Sequence, residues 1–380
     1  MKTTAVICEY NPFHKGHALQ IDGIRQRGNA VLCIMSGGWV QRGTPALYNK
    51  YARAKAAVSC GADVVLELPY PYCCSAAEYF ARSGVELANA LGVVDELCFG
   101  SECGDVDTLK KISDRLIGED FNRELRAARE NKANKSKPYA VLRNEVYRNT
   151  FGDDLPIQPN DILGIEYLSA LKRTKSTIVP FTYKREEGYS ATDSRRLIKE
   201  QGSFEMLPEK AAECFKNEDI YDVKNAERAI LAFYRSASPE ALKGFEGMTD
   251  GIADRLVKAA KESTSYEDVV EKLSGKSYTN AKIRRCILHG ITGVTTEMLR
   301  EKPAYTQLLA CSEQGRGLLK EIQKRSTVPL LTKPAHYKRL EGKARMMAEF
   351  SLGAEGLLTL MCETPKAQSD QLRQSPYIEK

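Results

Sequence analysis

Thr4-Ala-Val-Ile-Cys8 runs directly into Glu9-Tyr-Asn-Pro-Phe-His14-Lys-Gly-His17, and this junction decides how the rest of the chain is read. The first five residues form a short apolar run with β-branched members, which predicts a strand buried on both faces. Asn11 and Pro12 turn the chain, and a helix is expected over His17–Arg25. A helix N-terminus after a strand offers unpaired amides and partial positive charge, which favour phosphate. Two of the four histidines in the sequence fall here, three residues apart. Their imidazoles can donate hydrogen bonds to phosphate oxygens as charge builds during an in-line displacement. Gly16 lets a nucleotide approach the backbone closely. Two other readings stay open: a metal site, which lacks a third ligand nearby, and histidines that merely cap and pack.

Working outward, strands are expected at Ala30–Met35, Asp63–Leu68, Asp95–Phe99 and Thr177–Tyr183, and helices at Lys50–Ser59, Ala76–Leu91, most of Lys110–Arg148, and Ile162–Leu171. Apolar strands alternating with helices predict an α/β fold with a doubly wound, Rossmann-like parallel sheet, which binds ligands outside the carboxyl ends of its strands. Beyond about residue 205 the strand signals fade. Asn225–Ala237, Ala253–Glu262, Tyr266–Leu273, Ala281–His289, Gly315–Lys324 and Ala344–Leu358 read as helices. This predicts a catalytic domain over 1–205 and an all-α domain over 206–380. The last dozen residues are polar enough to fray.

Composition excludes several classes. The 380 residues are 42% hydrophobic and 28% charged, as in an ordinary globular protein. No run reaches the roughly 18 apolar residues needed to span a bilayer, and the start lacks the pattern of a signal peptide. Eleven scattered cysteines without a CxxC pair behave as small hydrophobes rather than a disulfide framework. Together these predict a cytoplasmic protein with no membrane partner.

The formal net charge is +6, and it gathers downstream: residues 123–148 carry eight Lys or Arg against three acidic residues, 271–300 six against two, and 316–346 nine against two. Such density suits a phosphate backbone, although helical cations are often solvated faces. Lys276, Lys282, Arg284 and Arg285, beside Tyr278, form the sharpest RNA-binding candidate. Lys282 and Arg285 share a helix face, and Tyr278 is placed to stack on a base or pack in a core. Arg42 sits on the expected ligand rim, within reach of ATP phosphate or RNA. The single tryptophan, Trp39, lies beside it, for packing or for an extruded base.

His14-Lys-Gly-His17 resembles the HxGH signature of the nucleotidylyltransferase superfamily. A closer resemblance covers nearly the whole chain, to the bacterial tRNA(Met) cytidine acetate ligase family. It rests on Glu9–His17, Met35-Ser-Gly-Gly-Trp-Val-Gln-Arg-Gly-Thr-Pro-Ala46, Gly61-Ala-Asp-Val-Val-Leu-Glu-Leu-Pro69, Phe99-Gly-Ser-Glu102, Asn160-Asp-Ile-Leu-Gly-Ile-Glu-Tyr167 and Tyr278-Thr-Asn-Ala-Lys-Ile-Arg-Arg285. The resemblance implies an enzyme that activates acetate with ATP as acetyl-adenylate. It then acetylates the exocyclic amine of the wobble cytidine of elongator tRNA(Met), releasing AMP and pyrophosphate. It places ATP on Ile7, Cys8, Glu9, Tyr10, Asn11, Pro12, Phe13, His14, Lys15, Gly16, His17, Ala18, Leu19 and Gln20, with Gly100, Asn160, Arg185 and Arg195. His14 and His17 are its catalytic candidates. Ser190-Ala-Thr-Asp-Ser-Arg195 resembles the second phosphate-binding motif, with Ser194 where the family has an apolar residue, and Asp161 replaces the more usual Asn.

The chemistry agrees with that implication. Acetate is a poor acyl donor, and attack on the α-phosphate supplies AMP as its leaving group. Arg185 and Arg195 suit bidentate phosphate binding. Lys15 is either a phosphate contact or a solvated residue. Cys8 and Cys103 are read as bystanders, because ATP itself provides the activation. Magnesium accompanies ATP phosphates, but no carboxylate cluster in the sequence has to hold it. A metabolic adenylyltransferase acting on a small phosphorylated acceptor is the alternative, and a non-catalytic RNA-binding protein a third reading.

Overall fold

The computed structural model describes residues 1–134, 137, 139–156, 158–186, 188–249, 251–275 and 278–380. The first half alternates strand and helix. β1 (Thr3–Cys8), α1 (Lys15–Gln26), β2 (Ala30–Ser36), α2 (Lys50–Ser59), β3 (Val64–Leu68), α3 (Ala77–Leu91) and β4 (Glu96–Ser101) come first. Four helices follow, α4 (Val106–Ile117), α5 (Glu119–Glu130), α6 (Tyr139–Phe151) and α7 (Pro159–Arg173), then β5 (Val179–Lys184) and α8 (Ala191–Gln201). The polar break expected over 131–138 lies partly outside the described residues.

The second half contains α9 (Glu209–Glu213), α10 (Glu227–Ser236), α11 (Pro239–Leu242), α12 (Ile252–Glu262), α13 (Tyr266–Leu273), α14 (Asn280–Thr292) and α15 (Thr296–Arg300). It ends with β6 (Thr306–Cys311), α16 (Arg316–Arg325), β7 (Leu330–Leu331), α17 (Gly342–Gly356) and β8 (Tyr377–Ile378).

The sheet order is β5-β4-β1-β2-β3-β6-β7, with β8 beside β6. The five N-terminal strands are parallel, as the apolar runs predict, and β6 joins β3 antiparallel. β1 to β4 and β6 bury both faces, whereas β5 at the sheet edge is half-exposed. Leu32, Ile34, Val64 and Leu66 pack with Phe80 and Leu168, from α3 and α7. Val31, Cys33, Met35 and Val65 pack with Ile21, Ile24, Ala54 and Ala57, from α1 and α2. The chain reverses direction across the sheet between β1 and β4, which is where a doubly wound sheet opens a crevice. The β1–β4 ladder pairs only Thr4 with Glu96 and Ala5 with Leu97, although both strands run on.

Two expectations are corrected. The chain beyond 205 is helical through α15 but not throughout, because Thr306–Cys311 is a fully buried strand of the main sheet. Its Leu, Ala and Gln content favours helix, and only burial between β3 and β7 makes it a strand. The C-terminus does not fray either: Tyr377 and Ile378 pair with Ala310 and Cys311. The helices from α10 to α14 enclose a core of their own around Leu231, Tyr234, Leu256, Val270, Ile283 and Ile287.

A buried charge cluster ties α17 to the sheet. Lys50 Nζ donates to both carboxylates, Glu67 at 2.9 Å and Glu355 at 2.8 Å. Burial raises the Glu67 carboxyl to about 8 despite the Lys50 charge. Glu355 also accepts the Gly38 amide at 3.2 Å, and Trp39 donates its indole N–H to the Ala354 carbonyl at 3.0 Å. Trp39 is 2% exposed, so it packs and meets no extruded base.

Candidate active site

A cleft of about 450 Å³ opens at the carboxyl ends of β1 and β4. His14 is the N-cap of α1, in extended conformation with φ −120°. Its backbone N–H donates to His17 Nδ1 at 3.2 Å. That bond leaves the proton of a neutral His17 on Nε2, so the ring is a donor at its other end. The two rings stack with centroids 3.6 Å apart. His14 Nδ1 is buried and without a partner among the described residues. Burial first, then the Arg185 and Arg195 charges, lower the His14 imidazole to about 4. Burial, His14 and Arg185 likewise push His17 well below its ordinary value. Both imidazoles are therefore neutral at pH 7, and the positive charge of the cleft comes from Arg42, Lys184, Arg185 and Arg195.

Arg195 is fixed by Nη1 on the Asn11 carbonyl at 2.7 Å and Nη2 on Thr192 Oγ1 at 3.2 Å. Arg185 lies across Gly100, where an added Cβ would meet its Cγ at 3.2 Å, and its Nε is 4.0 Å from Glu102. Ser190 caps α8 by accepting the Asp193 amide at 3.2 Å, and Ser190, Ala191 and Thr192 line the cleft. A second helix N-terminus therefore faces the same space as α1. Ser194 is fully buried, and its hydroxyl donates to the Ser190 carbonyl at 2.9 Å. The helix itself thus satisfies the polar residue at that position.

Most of the expected ATP positions line this cleft: Ile7, Cys8, Glu9, Tyr10, Asn11, His14, Gly16, His17, Leu19, Gln20, Gly100, Asn160, Arg185 and Arg195. Pro12, Phe13, Lys15 and Ala18 are not on its wall. Phe13 is buried edge-on against Tyr10, and Lys15 is exposed with its amide on the Met206 carbonyl. Gly16 lines the cleft, and protein groups also crowd its position. An added Cβ would sit 3.1 Å from the His14 ring and 3.2 Å from Tyr189, so glycine there admits the imidazole and Tyr189. Burial raises the Cys8 thiol well above its ordinary value, which keeps it protonated and inert. Cys103 is exposed.

Two supporting residues escaped the sequence reading. Glu102 accepts from Asn160 Nδ2 at 2.5 Å and from the Asp161 amide at 2.9 Å, while Asp161 accepts the amides of Glu102 and Cys103 at 2.9 and 3.1 Å. This reciprocal clamp joins the end of β4 to the start of α7 and explains Asp161. Arg53 is fully buried and donates to backbone carbonyls of Glu9, Ser36, Gly37 and Tyr48. It holds the ends of β1 and β2 together beneath the cleft. In sequence it reads as one more helical cation, and only its neighbours reveal the role.

The basic candidates separate. Arg42 is exposed and lines the cleft. Lys282 Nζ lies 4.4 Å from the Tyr278 ring centroid. Arg284 pairs with Glu267 at 2.8 Å, and Arg285 donates to the Gln41 carbonyl at 3.0 Å. Lys276 lies outside the described residues. Among the described residues no group of three or more His, Cys, Asp or Glu is arranged to hold a metal ion. Glu102 and Glu9 at the cleft already accept protein N–H groups. Among the described residues, no carboxylate cluster is present that would hold magnesium without the nucleotide. No helix among the described residues is long and apolar enough to cross a membrane.

Comparison with known proteins agrees with this geometry. The HIGH Nucleotidyl Transferase family matches residues 1–374. A tRNA(Met) cytidine acetate ligase of Acetivibrio thermocellus is 32% identical over 96% of both chains, and one of Caldanaerobacter subterraneus subsp. tengcongensis 35% identical over 95% of both. The crystal structure of Thermotoga maritima TmcAL bound with alpha-thio ATP covers the full length of both chains at 26% identity, with a TM-score of 0.91. With its strand, turn and paired histidines at a crevice between β1 and β4, the chain belongs to the HIGH nucleotidyl transferases and, within them, to the tRNA(Met) cytidine acetate ligase family.

Proposed function

We propose that this cleft binds ATP, joins it to acetate, and passes the acetyl group to the wobble cytidine of elongator tRNA(Met). An acetate oxygen bonds to the α-phosphorus as the α–β bridging bond breaks, and pyrophosphate leaves. The cytidine amine then attacks the acetyl carbonyl carbon, loses a proton, and displaces AMP. The observation that carries the reading is the pair of neutral, stacked imidazoles flanked by Arg185 and Arg195 in one cleft.

His17 donates through Nε2 to a phosphate oxygen on which charge develops, and His14 supplies a second ring beside it. Arg185 and Arg195 provide positive charge in a geometry that suits bidentate phosphate binding. Both helix N-termini add partial positive charge. Magnesium arrives with the ATP phosphates as part of the substrate. For tRNA we propose Lys282 as a contact, with Lys276 six residues before it in sequence, and Arg42, on the cleft wall, as a contact to ATP phosphate. Arg284 and Arg285 already have partners within the protein. The helical part of 206–380 is the proposed RNA-binding unit, and the cytoplasm the proposed location, where ATP and tRNA meet.

The test is incorporation of labelled acetate into bulk tRNA with and without ATP. ATP-dependent label recovered as acetylated cytidine is the expected result. Label absent from RNA, with AMP retained on a small phosphorylated acceptor, would put the metabolic adenylyltransferase in its place.

A further inference from the structure

Gln41 is held from two directions. Its amide N–H donates to Glu9 Oε1 at 2.8 Å, and its carbonyl accepts from Arg285 Nη1 at 3.0 Å. Glu9 belongs to the cleft wall and to the segment carrying His14. Arg285 belongs to α14, in the helical half. A single residue, through its backbone N–H and C=O, therefore bridges the cleft and the helical part of the chain.

The next turn of backbone strengthens that bridge. The loop is closed by Val40 N–H on the Thr44 carbonyl at 3.1 Å and Gly43 N–H on the Val40 carbonyl at 2.9 Å. Gly43 has φ +77°, and a Cβ there would lie 2.5 Å from the Arg285 nitrogen and 2.7 Å from the Arg284 carbonyl carbon. The loop rests directly on the backbone of α14, and only glycine allows it. Between the two anchored residues stands Arg42, exposed and on the cleft wall. Glu9 and Arg195 both feel its charge.

We propose that Arg285 is a positioning residue for adenylation, fixing the Gln41 carbonyl so that Arg42 is held at the mouth of the ATP cleft. Sequence places Arg285 among RNA contacts, but its guanidinium is spent on the Val40–Thr44 loop. Among the described residues it makes no ion pair, so this carbonyl bond is what orients it. Holding a charged group against a reacting phosphate converts part of the binding entropy into rate, and a displacement of about 1 Å costs on the order of 100-fold. α14 carries Lys282 one turn before Arg285, so the element proposed to meet tRNA also sets the cleft loop.

This inference rests on the adenylation reading above. The test measures acetate-dependent ATP–pyrophosphate exchange without tRNA, and tRNA affinity across salt concentrations, in full-length protein. Arg285→Ala is expected to slow exchange roughly 10- to 100-fold, with tRNA affinity within about twofold and its salt slope unchanged. Arg285→Lys keeps one donor and recovers part of the loss. Gly43→Ala, which displaces the loop without removing a charge, reproduces it. Arg285→Ala combined with Arg42→Ala loses no more than the larger single change, because both act through one group.

Unchanged exchange in Arg285→Ala, with weaker tRNA binding and a shallower salt slope, would overturn the proposal and make Arg285 an RNA contact, leaving the ligase reading standing. Wild-type protein that exchanges no pyrophosphate with acetate removes the ligase reading and this proposal together. Thermal melting checks folding, and Arg285→Lys and Gly43→Ala carry the test if Arg285→Ala does not fold.

Discussion

His17 Nδ1 accepts the backbone N–H of His14, so the second histidine of the motif caps the helix that the first one starts. In the proposed reaction one ring is both a structural acceptor and the catalytic donor, and the two roles sit on opposite nitrogens. Asparagine at 17 retains an acceptor near Nδ1 but has no atom at Nε2. His17→Asn is therefore expected to melt within about 1 kcal/mol of wild type, the size of a helix cap. Acetate-dependent pyrophosphate exchange should fall by about 100- to 1000-fold, as for a lost transition-state donor. A His17→Asn protein that exchanges at the wild-type rate would reduce His17 to a cap.

The His14 imidazole, lowered to about 4 from its ordinary 6.5, fixes a pH response. The unfolded chain takes up a proton near 6.5 while the folded protein does not, so folding pulls against protonation. The stability involved is present above pH 6.5 and is lost as pH falls toward 4. His14→Gln should flatten the decline in Tm between pH 7 and 4.5. Wild-type kcat/KM for ATP, which reports free-enzyme groups, should show no limb assignable to His14 above pH 5.

Glu67 acts with the opposite sign. Its carboxyl is raised from 4.5 to about 8, so the folded state keeps a proton that the unfolded chain gives up. That stability is complete below pH 4.5 and disappears as pH rises through 8. Glu67→Gln leaves Lys50 and Glu355 as a balanced pair. Its Tm should exceed wild type at pH 8.5 and approach it near pH 5. Parallel melting curves at both pH values would mean that the cluster titrates as one unit outside this range.

Lys282 is the cation of α14 set on an aromatic ring at the helix start. Lys282→Glu is predicted to weaken tRNA binding at low salt and to reduce the slope of log affinity against log salt by about one, as for one lost phosphate contact. Filter binding at several salt concentrations measures this. An unchanged slope would move the RNA surface away from α14.

The strand–turn–helix junction was legible because its signals are local: an apolar run, a turn pair, and two rare histidines within four residues. Ser190 and Arg195 were legible through a motif of the same kind. Arg53 and the Glu102–Asp161 clamp were not, since each acts on backbone groups far along the chain and no local pattern encodes that. Arg284 and Arg285 illustrate the same limit from the other side. A cation in sequence carries its charge but not its partner, and Glu267 and Gln41 become visible only once α14 is placed. β6 was missed because its composition favours helix and its neighbours in the sheet decide otherwise.

That late strand has a consequence for synthesis on the ribosome. Val64 pairs with Cys311, so β3 is complete long before the segment that covers it has been translated. During that interval the nascent chain presents an unpaired parallel edge, the surface most prone to pair with another chain. A product that stops short of Thr306 keeps that edge permanently. The last fifth of the sequence, none of whose residues lines the cleft, thus also serves as a guard against self-association.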